Sequence, residues 1–336
     1  MSFTSLQHAA KKAGWQKALS GAITDPQVLL NHLALDERYL EAAYRAAKLF
    51  PLKVTRSYLS RMEKGNPNDP LLRQVLPLDM ECHEVVGYTK DPLHEIKANP
   101  LPGLLHKYKG RVLINPISAC AIHCRYCFRR HFPYDENNPN RNDWQKVFDY
   151  IASDITIHEV ILSGADPLTA NEKTLYFFSD AFHQIAHIKR LRIHTRMPVV
   201  LPERITNEFI EWIAQLNMPL IIVIHANHPQ EVDGQVYHAL SDLKDAGVTL
   251  LNQSVILRGV NDDASILIKL SEVLFEAGVI PYYLHVLDKV AGAHHFDITL
   301  FEAHKIYRTM QYALPGYLVP KLVQEISGEG AKKIVA

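Results

Sequence analysis

The rhythm of apolar and polar positions changes twice along the chain. Up to about residue 50 the apolar residues recur at helical spacing. Asp25-Pro26 opens one helix, with Asp25 as N-cap and Pro26 at the first helical position, and Asp36 starts another that runs to Leu49. Then the pattern breaks. Prolines at 51, 67, 70, 77, 92, 100 and 102 interrupt regular structure repeatedly, which predicts an irregular arm or linker.

Beyond residue 105, short β-branched runs alternate with helical stretches. Strands are expected at Arg111–Ile117, Glu159–Ser163, Leu191–Thr195, Leu220–His225, Thr249–Ile256 and Tyr282–Leu287. Helices are expected between them, at Asp143–Ser153, Glu172–His187, Asn207–Gln215, Val232–Ala246 and Ala264–Ala277, with Gly247 and Gly278 punctuating two helix ends. Such alternation implies an α/β fold with a parallel sheet and crossover helices. Six units make a partial (β/α)6 barrel, and a doubly wound open sheet is the alternative that periodicity leaves open. The expected division is a helical region and Pro-rich arm over 1–105, the barrel over 106–316 and a C-terminal segment over 317–336.

Composition narrows the function classes. A chain of 336 residues is long enough for one large domain with an extension. Lys plus Arg and Asp plus Glu each total 36, so no basic surface for nucleic acid is expected. The longest apolar stretch, around Pro219–Ile224, is far too short to span a bilayer, and the first residues hold no apolar signal core. The expectation is a soluble cytoplasmic protein with reduced thiols and no membrane partner.

Three of the four cysteines fall within eight residues: Cys120, Cys124 and Cys127 in Ser-Ala-Cys-Ala-Ile-His-Cys-Arg-Tyr-Cys-Phe-Arg-Arg. Thiolates at this spacing can converge on one inorganic centre. Three ligands leave one iron of a four-iron cubane open. A zinc site is the alternative, with His123 or Cys82 as fourth ligand, although no second Cys or His pair follows. Cys82 reads as an unligated thiol. His294-His295 reads as a surface loop rather than a metal site.

The Cys-x3-Cys-x2-Cys spacing, with an aromatic residue before the last cysteine, resembles the signature of the radical S-adenosylmethionine (SAM) enzymes. From about Leu93 to Lys332 the chain further resembles the lysine 2,3-aminomutase family. The match is densest in Cys-Arg-Tyr-Cys-Phe-Arg-Arg-His-Phe, Thr-Arg-Met-Pro-Val-Val-Leu-Pro-Glu-Arg-Ile-Thr, Asn-His-Pro-Gln-Glu-Val, Leu-Leu-Asn-Gln-Ser-Val-Ile-Leu-Arg-Gly-Val-Asn-Asp and Pro-Tyr-Tyr-Leu-His-Val-Leu-Asp. Gly-Tyr-Leu-Val-Pro-Lys-Leu and the short tail resemble the bacterial branch that makes β-lysine for elongation factor P. The resemblance implies a radical SAM partial barrel, a [4Fe-4S] cluster, SAM and pyridoxal 5′-phosphate (PLP), and an isomerase that shifts an amino group between adjacent carbons of lysine. It also implies a reductant such as flavodoxin or ferredoxin, a link to elongation factor P and its lysyl ligase, and a homo-oligomer. A radical SAM mutase for another amino acid and a zinc-stabilised non-catalytic module are the rival readings.

The resemblance carries roles onto individual residues. Cys120, Cys124 and Cys127 match the cluster ligands. Lys332, after a Gly-rich approach, matches the PLP-binding lysine, with its neighbour Lys333 as rival. Lys107 and Arg111 match positions near the PLP phosphate. Arg129 matches the residue on the substrate carboxylate, while Asp288 and Glu325 match the carboxylates that hold the ε-ammonium. Ser163, Gly164 and Asp166 after the second strand, with His225 and Gln253, match SAM contacts. Ala165 stands where the family usually has a second glycine, which implies strain if that residue needs positive φ.

Overall fold

The computed structural model describes residues 14–134, 137 and 139–336. The expected helix over the first residues therefore lies partly outside the described residues. Asp25 caps the helix Pro26–His32 by accepting from the Gln27 backbone N–H at 2.8 Å. Asp36 likewise caps the turn that leads into the helix Leu40–Leu49. The Pro-rich stretch forms one-turn helices such as Arg56–Leu59 and Pro70–Arg73. It is well packed: Leu52, Val54, Tyr58, Leu71 and Leu72 are buried in the same apolar core as the strands and helices that follow.

Among the described residues nine strands form one sheet in sequential order: β1 (Leu104–Tyr108), β2 (Arg111–Ile114), β3 (Glu159–Leu162), β4 (Arg190–Thr195), β5 (Leu220–Ile224), β6 (Thr249–Val255), β7 (Ile280–His285), β8 (Lys321–Gln324) and β9 (Lys333–Ile334). Strands β2 to β8 run parallel, and the two outer strands pair antiparallel. The crossovers carry helices α1 (Arg141–Ser153), α2 (Glu172–His183), α3 (Asn207–Ala214), α4 (Gly234–Asp245), α5 (Ala264–Glu276) and α6 (Leu300–Ala313).

Strand order decides between the two architectures. A doubly wound sheet reverses its order to place helices on both faces. Here the order never reverses, so right-handed crossovers put every helix on one side and the sheet curls round its other face. Among the described residues no ladder joins β1 to β9, so the barrel is partial. Among the described residues it holds seven parallel strands rather than the expected six: β8, from the C-terminal segment 317–336, follows α6 and adds one unit.

The side-chain period of two then separates core from lumen. Leu191 and Ile193 of β4 and Leu250 of β6 are buried in the core under the helices. The alternating residues Arg192, His194, Leu251 and Gln253 face the lumen. Loops leaving the C-terminal ends of the parallel strands ring one mouth of this lumen, the end at which parallel barrels carry chemistry. No helix among the described residues is long and apolar enough to cross a membrane.

Candidate active site

The cysteine loop leaves β2 at that mouth. Its backbone is pinned from outside: Lys53 Nζ donates to the Cys120 carbonyl at 2.7 Å, and Arg196 Nη1 lies 2.8 Å from Cys124 Sγ. Arg196 is itself buried, with Nη2 on Gln74 at 2.7 Å and on Glu231 at 2.9 Å. Burial, reinforced by the Cys124 thiol, pushes the Cys127 thiol up to about 11. Burial also raises Cys120, with Asp166 and the other two thiols adding to it. Cys120 and Cys127, half-buried thiols that resist ionisation and sense Cys124, fit a cationic centre that ionises them.

The zinc alternative loses both of its candidate fourth ligands. His123 is turned away, with Nδ1 on the Pro51 carbonyl at 2.8 Å and its ring stacked on Phe50. Cys82 ends the turn Asp79–Cys82, where its charged neighbours are Asp79, Glu81, Arg45 and Arg130. Among the described residues no three His, Cys, Asp or Glu side chains gather tightly enough for one metal ion. A tetrahedral zinc needs all its ligands about 2.0–2.3 Å from a single atom, whereas a cluster spreads its ligands over several irons. His295, expected on the surface, is buried beside Phe296.

Across the lumen runs a line of alternating charges. Arg129 grips Glu95 with two hydrogen bonds, from Nε at 2.6 Å and from Nη2 at 2.8 Å. Lys107 Nζ lies 2.8 Å from the same Glu95 and 3.1 Å from Glu325. Glu325 pairs in turn with Lys332 and accepts from the Tyr108 hydroxyl at 3.0 Å. Lys332 also sits over the Tyr283 ring, 5.9 Å from its centroid. Lys333, the first residue of β9, is exposed instead. Thus Lys332, Glu325, Lys107 and Arg129, far apart in sequence, share one connected network.

Burial opposes every charge in this line, so each is held by its partners. Against that cost, Arg129 and Lys107 keep the Glu95 carboxyl below its ordinary range, and Lys332 and Lys107 do the same for Glu325. Asp288 lies in the loop after β7 without such a partner. Burial and the nearby Glu325 push its carboxyl up to about 7, although Lys332 and Lys107 pull the other way. Arg111 stacks on the Tyr108 ring with its guanidinium carbon 4.6 Å from the centroid.

The turn after β3 answers the question of Ala165. Gly164 holds φ +100°, and a Cβ there would collide with the Asn115 side chain. Ala165 has no positive φ, so its methyl group is accommodated without backbone strain. Asp166 accepts from Thr195 Oγ1 at 2.6 Å, from the Arg196 backbone N–H at 2.8 Å and from the Leu168 N–H at 3.1 Å. Its carboxylate is spent on holding two loops together. Ser163 donates its backbone N–H to the Ile114 carbonyl at 3.0 Å. His225 meets the Tyr126 hydroxyl at 3.3 Å, and burial pushes its imidazole down to about 3, so it is neutral. Gln253 faces the lumen from β6.

Residues 114–270 match the model of the Radical SAM superfamily. The chain is 50% identical over 326 residues to L-lysine 2,3-aminomutase of Haemophilus influenzae, covering 97% of this chain and 96% of that one. It is 50% identical to the enzyme of the same name from Escherichia coli over 95% of this chain and 93% of that one. For the Clostridium subterminale enzyme of that name the identity is 34%, over 95% of this chain and 76% of that one. The chain belongs to the L-lysine 2,3-aminomutase family. Membership makes it an isomerase of radical SAM type and implies a [4Fe-4S] cluster, SAM and PLP.

The lumen of this family member fits an anionic cofactor. Lys107, Arg111, Arg129, Arg192 and Lys332 outnumber Glu95, Glu159, Glu325 and Asp288, and Asp288 keeps its proton up to about 7. A phosphate dianion would neutralise the surplus. Two buried nitrogens, Arg192 Nε and His194 Nε2, lack a partner among the described residues, as expected of groups that a polar ligand satisfies. Glu95, Tyr108, Arg192, His194, Tyr283 and Arg196 escaped the sequence reading. For Arg192 and His194 a signal existed: polar residues alternating with Leu191 and Ile193 in a parallel strand mark a lumen face.

Proposed function

We propose that this chain isomerises L-α-lysine to β-lysine by moving the amino group from Cα to Cβ. The observation that carries the reading is the line of alternating charges in the lumen. It sets the Arg129 guanidinium apart from the carboxylates of Glu325 and the nearby Asp288, the complement of an amino acid with a second, distal cation. The Lys332 ammonium on Glu325 is the same chemical group that lysine carries on its ε-carbon, so Glu325 already holds an ion of the substrate's class.

When bound, the cluster, SAM and PLP supply a carbon-centred radical and a carrier for the migrating nitrogen. The protein's part is to hold and orient. Cys120, Cys124 and Cys127 would hold the cluster, on which SAM would bind. Ser163, Gly164, His225 and Gln253 line the SAM site, and Asp166 acts there by shaping the loop. Lys332 anchors PLP, with Lys107 and Arg111 on its phosphate. Arg129 takes the substrate carboxylate as a guanidinium fork suits. Asp288 and Glu325 take the ε-ammonium, which rejects amino acids without one.

The product is proposed to serve elongation factor P through its lysyl ligase, a reading supported by similarity over 96% and 93% of the Haemophilus influenzae and Escherichia coli relatives, against 76% of the Clostridium subterminale one. A flavodoxin or ferredoxin supplies the electron, and the chain acts in a homo-oligomer. The test is anaerobic incubation of the reconstituted protein with lysine, SAM, PLP and dithionite, with product analysis by mass and chiral chromatography. A product of unchanged mass that co-migrates with β-lysine is expected. Unaltered lysine, or turnover of another amino acid at higher kcat/KM, would overturn the proposal.

A further inference from the structure

Glu95 is the one member of the charge line to which neither the sequence motifs nor the proposed chemistry gave a role. It stands on the short turn Glu95–Ala98 in the Pro-rich arm. Its side chain is only 3% exposed. Its backbone N–H donates to Asp91 Oδ1 at 3.0 Å, and the preceding His94 adopts a left-handed conformation, φ +49°, that turns the chain inward. The His94 ring meets Ser327 Oγ at 3.0 Å, which ties the turn to the loop leading to Lys332. A carboxylate buried this deeply costs free energy unless it is paired, and its two partners are Arg129 and Lys107.

The atoms used on Arg129 matter. Glu95 takes the Nε and Nη2 side of the guanidinium, the edge nearest the chain. Among the described residues Nη1 has no hydrogen-bond partner, and it is not a buried, unsatisfied atom either. The outer edge, Nη1 with the second N–H of Nη2, is therefore left free, and Arg129 lines a small cavity with Asn115, Phe132 and Gly164. A guanidinium has five N–H groups in a rigid plane, so fixing one edge fixes the direction of the other.

We infer that Glu95 is a positioning residue for substrate: its bidentate grip on Arg129 aims the free outer edge of that guanidinium at the substrate carboxylate. The inference rests on the assignment of Arg129 to that carboxylate. Two carboxylates on one guanidinium repel each other, but Lys107 flanks Glu95 and offsets its charge. The gain in orientation then outweighs the repulsion, because a freed guanidinium on a long side chain must be ordered anew with each substrate molecule.

The experiment compares wild type, Glu95→Gln, Glu95→Asp and Arg129→Lys as anaerobically reconstituted holoenzymes. KM and kcat are measured for lysine, and inhibition constants for lysinamide, which keeps both amines and lacks the carboxylate. Removal of an outer positioning partner typically costs 10–100-fold. Glu95→Gln should raise the lysine KM by roughly that factor, change kcat much less and leave lysinamide inhibition and iron and PLP content unchanged. Glu95→Asp, which keeps the charge with shorter reach, should fall between Gln and wild type, and it carries the test if Glu95→Gln does not fold. An unchanged lysine KM in Glu95→Gln, or equal losses for lysine and lysinamide, overturns the inference. Arg129→Lys separates the two levels: if it leaves the lysine KM unchanged, the carboxylate assignment fails and the inference with it.

Discussion

Two adjacent lysines near the C-terminus illustrate how little of a residue's role lies in its identity. Lys332 reaches Glu325 in the lumen, while Lys333 begins a strand and faces solvent. Borohydride reduction of the PLP-loaded protein followed by peptide mapping should therefore label Lys332, and label on Lys333 would show that the strand register is wrong. Asp288 carries a sharper prediction. Its carboxyl titrates at about 7 in the free protein because burial and Glu325 disfavour its charge. An ammonium ligand needs the ionised form, so below that pH binding must first expel a proton. The lysine KM should fall as pH rises from about 6 to 8, a window in which the substrate's own ε-ammonium, with pKa near 10.4, stays charged. Asp288→Asn should abolish that slope. Losing one partner of a buried charge pair should also cost about 2–5 kcal/mol of binding, a rise in KM of roughly thirty-fold or more. A wild-type pH profile and KM in Asp288→Asn would show that the ε-amine is read elsewhere.

At the scale of elements, the parallel strands and their crossover helices were legible because their apolar runs are long and their helix caps are explicit. What the sequence concealed has physical causes. Strand β8 follows Pro320 and has only Leu322 and Val323 between Lys321 and Gln324, so it offers no apolar run to read, unlike β2 and β3 of equal length. The Pro-rich arm reads as linker because its prolines forbid regular structure, yet Leu71, Leu72 and Tyr58 bury completely and Glu95 enters the lumen from it. Cysteine spacing disclosed the cluster loop, but not Arg196, whose guanidinium reaches Cys124 from the end of β4. The turn after β3 gives a test at this scale. Gly164→Ala forces a methyl group onto Asn115 at a positive φ, so a loss of about 1–3 kcal/mol of stability and weakened SAM binding are expected. Ala165→Gly should change neither by more than about 1 kcal/mol. Denaturant melts and SAM titrations of both variants check the contrast, and equal effects would contradict the backbone assignment.

The whole molecule is an open barrel whose outer face builds the core and whose inner face holds charge. That division lets one sheet carry both a core and a polar interior: apolar burial under the helices supports the fold, while Arg111, Arg192, His194 and Lys332 line the lumen. Iron content after anaerobic reconstitution tests the metal end of the lumen. Ala at position 120, 124 or 127 should abolish the four-iron cluster, and Cys82→Ala should retain it; iron lost with Cys82→Ala or kept with Cys124→Ala would exclude the three-thiol site. Whether this lumen moves the α-nitrogen of lysine to the neighbouring carbon is decided by isotope. Lysine labelled with 15N on the α-amine and 13C at C3 is supplied to the reduced holoenzyme, and the product is examined by 13C NMR. A new 13C–15N coupling at C3 is expected, with the nitrogen carried over intact. A product without that coupling, or 15N released to solvent as ammonia, would contradict the proposed isomerisation.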